Sequence, residues 1–168
     1  MNPIPTRIPG FELTPATPDD VPLVLEFIRE LARYEKLLHE VEATEDDIRD
    51  GLFGPHPTVE VVLGREHGEP VAFALYFRNF STFTGRPGIY LEDLFVKESH
   101  RGRGYGAVLL AYLAKLARDR GGRRFEWSVL DWNTPAVEFY RSIGARPLED
   151  FTVQRVAGAA LDALADRF

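Results

Sequence analysis

Residues 101–106, Arg-Gly-Arg-Gly-Tyr-Gly, constrain the fold most, because they stand between a strand-like run and a helical one. The apolar run 89–96 precedes them, and Leu109, Leu113 and Leu116 follow at helical spacing. Glycines allow a tight turn with exposed N–H groups, and the start of a helix adds partial positive charge. The segment therefore predicts a strand–loop–helix unit whose loop can hold phosphate oxygens.

Spacing alone leaves three interpretations of this segment open. A Walker A loop would end in Gly-Lys-Ser/Thr, which is not present. The dinucleotide fingerprint G-x-G-x-x-G/A is matched by Gly102, Gly104 and Ala107, with Glu126 near the distance of a ribose contact. That fingerprint belongs to the first βαβ unit of a parallel sheet, however, whereas here the segment follows an antiparallel meander. The third interpretation is a plain glycine-rich turn.

Hydrophobic periodicity predicts an α/β (α+β) domain with a mixed, mostly antiparallel sheet and helices on both faces. The predicted strands cover residues 11–14, 59–65, 71–80, 89–96, 124–130 and 152–156. The predicted helices cover residues 17–39, a short stretch from 44, then 104–120, 134–143 and 158–165. Residues 1–10 contain three prolines and are expected to form a flexible arm before a single domain, 11–168.

Length and composition exclude several classes of protein. The 168 residues are 45% hydrophobic, and the longest apolar run, 107–114, is too short to cross a membrane. With no cysteine, disulfides, Cys-ligated zinc and thiolate nucleophiles are impossible, and the four histidines lack metal-ligand spacing. A net charge of -6 argues against nucleic-acid binding. We therefore expect a cytoplasmic protein that binds no metal, nucleic acid or membrane.

Three acidic residues fall where apolar ones are expected. Glu92 and Asp93 interrupt the apolar run 89–96, and Glu35 lies on the apolar stripe of the first predicted helix. A buried carboxylate costs several kcal/mol unless it is paired, protonated or functional. Strand alternation places Glu92 with Tyr90 and Leu94, and Asp93 with Leu91 and Phe95, on opposite faces. The adjacent acids therefore cannot flank one bond as a glycosidase pair does.

The predicted helix over residues 134–143, near the end of the chain, carries another candidate residue. Asn133 or Thr134 can cap this helix, and Tyr140 lies near its middle. A tyrosine at such a position is ordinarily part of the core. If its hydroxyl reaches a cleft, however, it can donate a proton to a leaving group.

Taken together and in this order, these segments resemble the GNAT superfamily of N-acetyltransferases. The acetyl-CoA loop of that superfamily, Q/R-x-x-G-x-G/A, is matched by Arg101, Gly104 and Gly106. Its later motif, N-x-x-A-x-x-F-Y-x-x-x-G, is matched by Asn133, Ala136, Phe139, Tyr140 and Gly144. Residues 28–36, 90–96 and 132–140 further resemble the diamine acetyltransferase branch, which includes spermidine/spermine and thialysine N-acetyltransferases.

The resemblance implies a GNAT fold of six to seven strands and direct transfer of acetyl from acetyl-CoA to a primary amine in a ternary complex. Glu92 would accept the amine proton through water, and Tyr140 would protonate the departing CoA thiolate. The residues expected to bind acetyl-CoA are Leu94, Phe95, Val96, Arg101, Gly102, Arg103, Gly104, Tyr105, Gly106, Ala107, Asn133, Ala136 and Tyr140. Those expected to bind the amine are Tyr34, Glu35, Phe83, Glu92 and Asp93.

The loop before the Glu92 strand bears on the choice of amine. In the polyamine enzymes it carries an acid and a tryptophan, whereas residues 79–84 here contain no acid and offer Phe83 as the nearest aromatic. This difference favours a shorter amine or a lysine-like amino acid over spermidine. The expected partners are a small amine and a second copy in a homodimer. A non-catalytic acyl-CoA sensor and a peptide acetyltransferase of the same fold remain alternatives.

Overall fold

The computed structural model describes residues 2–168, which form two compact units, one ending at Ser128 and one covering Val129–Phe168. The strands of the first unit are β1 (Ile4–Pro5), β2 (Phe11–Pro15), β3 (Glu60–Glu66), β4 (Glu69–Ser81), β5 (Arg86–Val96) and β6 (Phe125–Trp127). Its helices are α1 (Val21–Tyr34), α2 (Glu45–Phe53) and α3 (Tyr105–Asp119). The second unit contains α4 (Thr134–Ser142) and α5 (Ala159–Ala165).

The six strands form one sheet in the order β1-β2-β3-β4-β5-β6. Every neighbouring pair is antiparallel except β5 and β6, which are parallel. Parallel neighbours need a crossover, and α3 supplies it. The predicted mixed, mostly antiparallel sheet is confirmed. A dinucleotide-binding sheet is parallel, so the fingerprint match at residues 102–107 does not mark one.

Helices α1 and α2 pack on one face of the sheet. Val24 and Phe27 of α1 and Leu52 of α2 join Phe73 and Leu75 of β4 in a buried cluster. The rings of Phe27 and Phe73 stack with centroids 5.3 Å apart. Burying each such side chain contributes about 2 kcal/mol to folding, so this cluster fixes α1 against the sheet.

Helix α3 packs on the other face. A Cβ atom built on Gly106, in the first turn of α3, would lie 3.8 Å from Leu94 and 3.9 Å from Val96. Side chains alternate along a strand, and Phe95 belongs to the cluster beneath α1. The predicted placement of helices on both faces is therefore confirmed. Among the described residues, no helix is long and apolar enough to cross a membrane.

The first helix ends earlier than predicted. Sequence periodicity extended it to residue 39, whereas α1 stops at Tyr34. Lys36 adopts a φ of 64°, in the left-handed region, and its N–H donates to the carbonyl of Arg33 at 3.1 Å. This turn closes the helix as a glycine usually would. Glu35 consequently caps the helix instead of continuing its apolar stripe.

The predicted strand over residues 152–156 is wrong. The second unit has no strand among its residues, so this segment has no neighbour within the unit to which it could pair. Phe151 is 75% exposed and Val153 81% exposed. A short segment of strand-like composition forms a strand only when another strand lies beside it.

Candidate active site

The parallel pairing of β5 with β6 covers only part of β5. Ile89, Tyr90 and Leu91 pair with residues 125–127, and the pairing extends no further along the described chain. The backbone of residues 92–96 therefore has no β6 neighbour on that edge, although β4 still pairs with its other edge. N–H and C=O groups along this edge are left to bind something other than the sheet.

A β-bulge sits where this open edge begins. Leu75 pairs with Asp93 and Tyr76 with Leu91, so Glu92 is the additional residue of the bulge. The sequence prediction that Leu91 and Asp93 share a face is wrong, because the bulge reverses the alternation between them. Glu92 is exposed, whereas Asp93 is half-buried on the face that α1 covers.

Three carboxylates, those of Glu35, Glu92 and Asp93, interact electrostatically at this point and are called the carboxylate cluster below. Burial, together with the negative charges of Glu92 and Glu35, raises the pKa of Asp93 from its ordinary 3.8 to about 6. Burial also raises the pKa of Glu35. Helix α1 thus brings Glu35 close enough to influence a residue 58 positions away in the sequence. Such a cluster disfavours its own ionisation and favours a bound cation.

Arg101 connects the loop after β5 to the end of α1. Its Nε donates to the carbonyl oxygen of Val96 at 3.0 Å. Its guanidinium lies 4.6 Å from the ring centroid of Tyr34 and 5.5 Å from that of Phe95. Residues expected to bind cofactor and amine therefore meet at this arginine.

Two glycines shape the loop that leads into α3. Gly102 has a φ of 76° and Gly104 a φ of 84°, both in the left-handed region that side-chain-bearing residues rarely adopt. Gly104 is the N-cap of α3 and offers no side chain to the helix. The first N–H groups of α3, at Tyr105 and Gly106, therefore lack a capping partner from Gly104 and can receive an anion.

Beyond the carboxylates, β4, β5 and β6 present polar and aromatic side chains. The rings of Phe77 and Tyr90 stack at 5.2 Å, and the hydroxyl oxygens of Tyr90 and Ser128 lie 2.6 Å apart. Asn79 donates to the carboxylate of Glu126 at 2.8 Å. From its sequence position, Glu126 was expected only as a ribose contact of the dinucleotide fingerprint. Its bond to Asn79 spans 47 residues and leaves no local sequence signal.

Phe83 lies apart from the other residues expected to bind amine. It is 97% exposed in the turn between β4 and β5. Glu92 is six residues beyond Arg86, the first residue of β5, which corresponds to roughly 20 Å along a strand. Within one chain, the structure does not bring Phe83 to the carboxylate cluster.

The second unit carries Asn133, Ala136 and Tyr140, all half-buried. Asn133 is the N-cap of α4, and its carbonyl accepts from Val137 at 3.0 Å. The ring of Tyr140 lies 5.6 Å from that of Phe139. Of the two predicted caps, Asn133 is the one that begins the helix, and Tyr140 lies nearer the end of α4 than the predicted middle.

Comparison with known proteins shows which family has these features. The chain matches the acetyltransferase (GNAT) family over residues 24–145. It is 39% identical to thialysine N-epsilon-acetyltransferase of Sus scrofa, covering 86% of this chain and 91% of that protein. It is 30% identical to L-ornithine N5-acetyltransferase of Arabidopsis thaliana, covering 89% of this chain and 85% of that protein.

Solved structures share the fold. An integron cassette protein from the mobile metagenome of V.cholerae superimposes with a TM-score of 0.78 at 32% identity, covering 93% of this chain and 98% of that one. With the family match spanning most of its length, this chain belongs to the GNAT family and is an acetyl-CoA-dependent N-acetyltransferase.

Proposed function

We propose that the protein acetylates the terminal amine of a lysine-like small molecule such as thialysine, by direct attack of the amine on acetyl-CoA in a ternary complex. The carboxylate cluster of Glu35, Glu92 and Asp93 is the observation that carries this proposal. A relative named for thialysine and another named for ornithine support an amino acid with a terminal amine. The exposed position of Phe83, and the absence of an acid in residues 79–84, argue against a long polyamine.

The cluster suits an alkylammonium ion for electrostatic reasons. A primary amine with a pKa near ~10.4 arrives protonated at neutral pH. Asp93, whose pKa is raised to about 6, is stabilised in its charged form when a cation binds beside it. Glu35 at the end of α1 extends the negative potential towards solvent, which attracts the cation over longer distances.

Acetyl-CoA fits the open edge of β5 and the loop that follows. The backbone groups of Leu94, Phe95 and Val96 can pair with the pantetheine arm as another strand would. One of their N–H groups would hydrogen-bond the thioester carbonyl, where such a donor is typically worth about 3 kcal/mol. The loop N–H groups of residues 102–107, which follow Arg101, would hold the pyrophosphate.

Two side chains would move protons. Glu92, exposed at the bulge, accepts a proton from the ammonium through water, so that the nitrogen lone pair can attack the thioester carbon. Collapse of the tetrahedral intermediate breaks the carbon–sulfur bond, Tyr140 gives its proton to the CoA thiolate, and the new amide nitrogen loses its remaining extra proton to water. Asn133 and Ala136 contribute to binding on the pantetheine or adenosine side.

The test is release of CoA thiol from acetyl-CoA, followed with a chromogenic thiol reagent. The protein contains no cysteine, so it adds no background. The panel is thialysine, lysine, ornithine, putrescine, spermidine and a lysine peptide. We expect the highest kcat/KM with a lysine-like amino acid. A preference for spermidine or for the peptide would contradict the proposed substrate, and tight acetyl-CoA binding without turnover would indicate a sensor.

We also propose that two copies form a homodimer through the second unit. Its apolar side chains are unusually exposed: Val153 is 81%, Leu161 52% and Leu164 50% exposed. An exposed apolar patch of this kind commonly marks a protein contact. Sedimentation at micromolar concentration should show a dimer, which Val153→Asp should weaken. A monomeric wild-type protein would refute this proposal.

A further inference from the structure

Glu66, the last residue of β3, receives contacts from three side chains of the segment that contains the loop. Both of its carboxylate oxygens lie 3.1 Å from Nη1 of Arg103. The hydroxyl of Tyr105 donates to Oε1, and Nε2 of His100 lies 3.3 Å from Oε2. One carboxylate thus joins residues before, within and after the two left-handed glycines of the loop.

The geometry points to Glu66 as a positioning residue for acetyl-CoA, which acts by holding Arg103 and Tyr105 so that the loop N–H groups keep one arrangement. This inference rests on the proposed role of residues 102–107 in binding the pyrophosphate. Glu66 itself carries negative charge, so it would repel a pyrophosphate and is not a ligand.

The surroundings make this carboxylate an effective anchor. Its side chain is 22% exposed, less than that of Arg103 at 50%. The hydrogen bond from Tyr105 is the largest of the effects that lower the pKa of Glu66, followed by the charge of Arg103. Tyr105 is buried and its ring stacks on Phe11 with centroids 3.9 Å apart. The loop is therefore tied to β2 and β3, strands that take no part in the transfer.

This arrangement assigns Arg103 a different role from that of a phosphate ligand. Its guanidinium is already engaged by Glu66, and its Nη2 donates to the carbonyl of Ser99 at 3.2 Å. Through its contacts with Glu66 and Ser99, Arg103 holds the loop in place. The backbone N–H groups are then left to face the cofactor.

The two possible roles of Arg103, holding the loop or binding phosphate, predict opposite effects of Glu66→Gln. This substitution keeps the shape of the side chain but removes its charge. If Glu66 positions the loop, the KM for acetyl-CoA should rise about five- to tenfold, while kcat and the KM for the amine stay near wild type. If Arg103 binds phosphate and Glu66 only restrains it, the same substitution should free Arg103 and lower the KM for acetyl-CoA. A lower or unchanged KM would overturn the inference.

Three further variants test whether the contacts of Glu66 account for the change in the KM for acetyl-CoA. Glu69→Gln makes the same change in charge three residues away on the same hairpin, where the side chain is exposed, and should leave the kinetics unchanged. Tyr105→Phe keeps the stack on Phe11 but removes one bond, so it should give part of the Glu66→Gln effect. Arg103→Gln combined with Glu66→Gln should be no worse than the more impaired single variant, because both break one interaction. An additive double variant would contradict this.

Gly104→Ala distinguishes a failure of this inference from a failure of the proposed function on which it rests. A side chain at a φ of 84° strains the loop itself and should raise the KM for acetyl-CoA if the loop binds the cofactor. If Gly104→Ala has that effect and Glu66→Gln does not, only the role of Glu66 fails. If Gly104→Ala folds, remains active and keeps its acetyl-CoA KM, the proposed role of the loop fails.

Discussion

Replacing Asp93 with asparagine should stabilise the fold while weakening amine binding. Burial and the charges of Glu92 and Glu35 raise the pKa of Asp93 from 3.8 to about 6. At 1.36 kcal/mol for each pH unit, keeping Asp93 ionised in the folded state costs about 3 kcal/mol at pH 8, an upper value because the side chain is only half-buried. Asparagine has nearly the same shape and carries no charge, so it removes this cost.

The pH dependence of folding stability shows in which direction the charge of Asp93 acts. Between about pH 4 and pH 6 the folded wild type binds a proton that the unfolded chain has already released, so its stability falls as pH rises through this window. The advantage of Asp93→Asn should therefore be about 3 kcal/mol at pH 8 and about 1 kcal/mol at pH 4.5, measured by urea unfolding. The variant should also raise the KM for the amine, because one of three carboxylates is lost.

A matched control, Asp119→Asn, should change stability in the opposite direction. The hydrogen bond from Lys115 lowers the pKa of Asp119, so Asp119→Asn should destabilise the protein at pH 8 and leave the amine KM unchanged. A charge-based cost of burying Asp93 would be refuted if Asp93→Asn gave no gain in stability at pH 8. It would also be refuted if the gain were the same at pH 4.5, since charge would then not be its cause.

Three other substitutions test the candidate site and the packing of the sheet that carries it. Tyr140→Phe should lower kcat about 100-fold with little change in acetyl-CoA affinity measured by calorimetry, because it removes only the acid, and unchanged turnover would exclude that role. Glu35→Gln should raise the amine KM about fivefold at low salt and less at high salt, because its charge acts through partly exposed surroundings. Gly88→Ala should destabilise the fold by about 1 to 3 kcal/mol in thermal unfolding, because its Cβ would lie 2.4 Å from Oδ1 of Asn79. Gly51→Ala, whose Cβ would meet nothing closer than 3.6 Å, is its control.

Local patterns predicted the elements whose ends are set locally. Leucine spacing and a following pair of glycines predicted a helix over 104–120, and α3 covers Tyr105–Asp119. The sequence predicted a short helix from residue 44, and α2 begins there with a capping box in which the Asp47 N–H donates to Oγ1 of Thr44 at 3.3 Å. Both signals depend on residues within one helix, so sequence alone could reveal them.

Features without a local sequence signal were not predictable in this way. The end of α1 depends on Lys36 adopting a left-handed conformation, for which glycine or asparagine is the usual signal. The bonds of Glu66 to Arg103 span 37 residues, and no local pattern indicates them. The segment 152–156 has the composition of a strand but not the neighbour it would need.

The bulge at Glu92 allows two adjacent acids to have the different roles proposed for them. Without it, strict alternation would turn one carboxylate towards α1 and the other towards the face that α3 covers. The additional residue leaves Glu92 exposed at the point where β6 no longer pairs with β5, and keeps Asp93 half-buried beneath α1. An exposed carboxylate can exchange protons with water, whereas a half-buried one with a raised pKa binds a cation strongly. In the proposed mechanism, the register shift between Leu75 and Tyr76 would thus separate proton transfer from substrate binding within two consecutive residues.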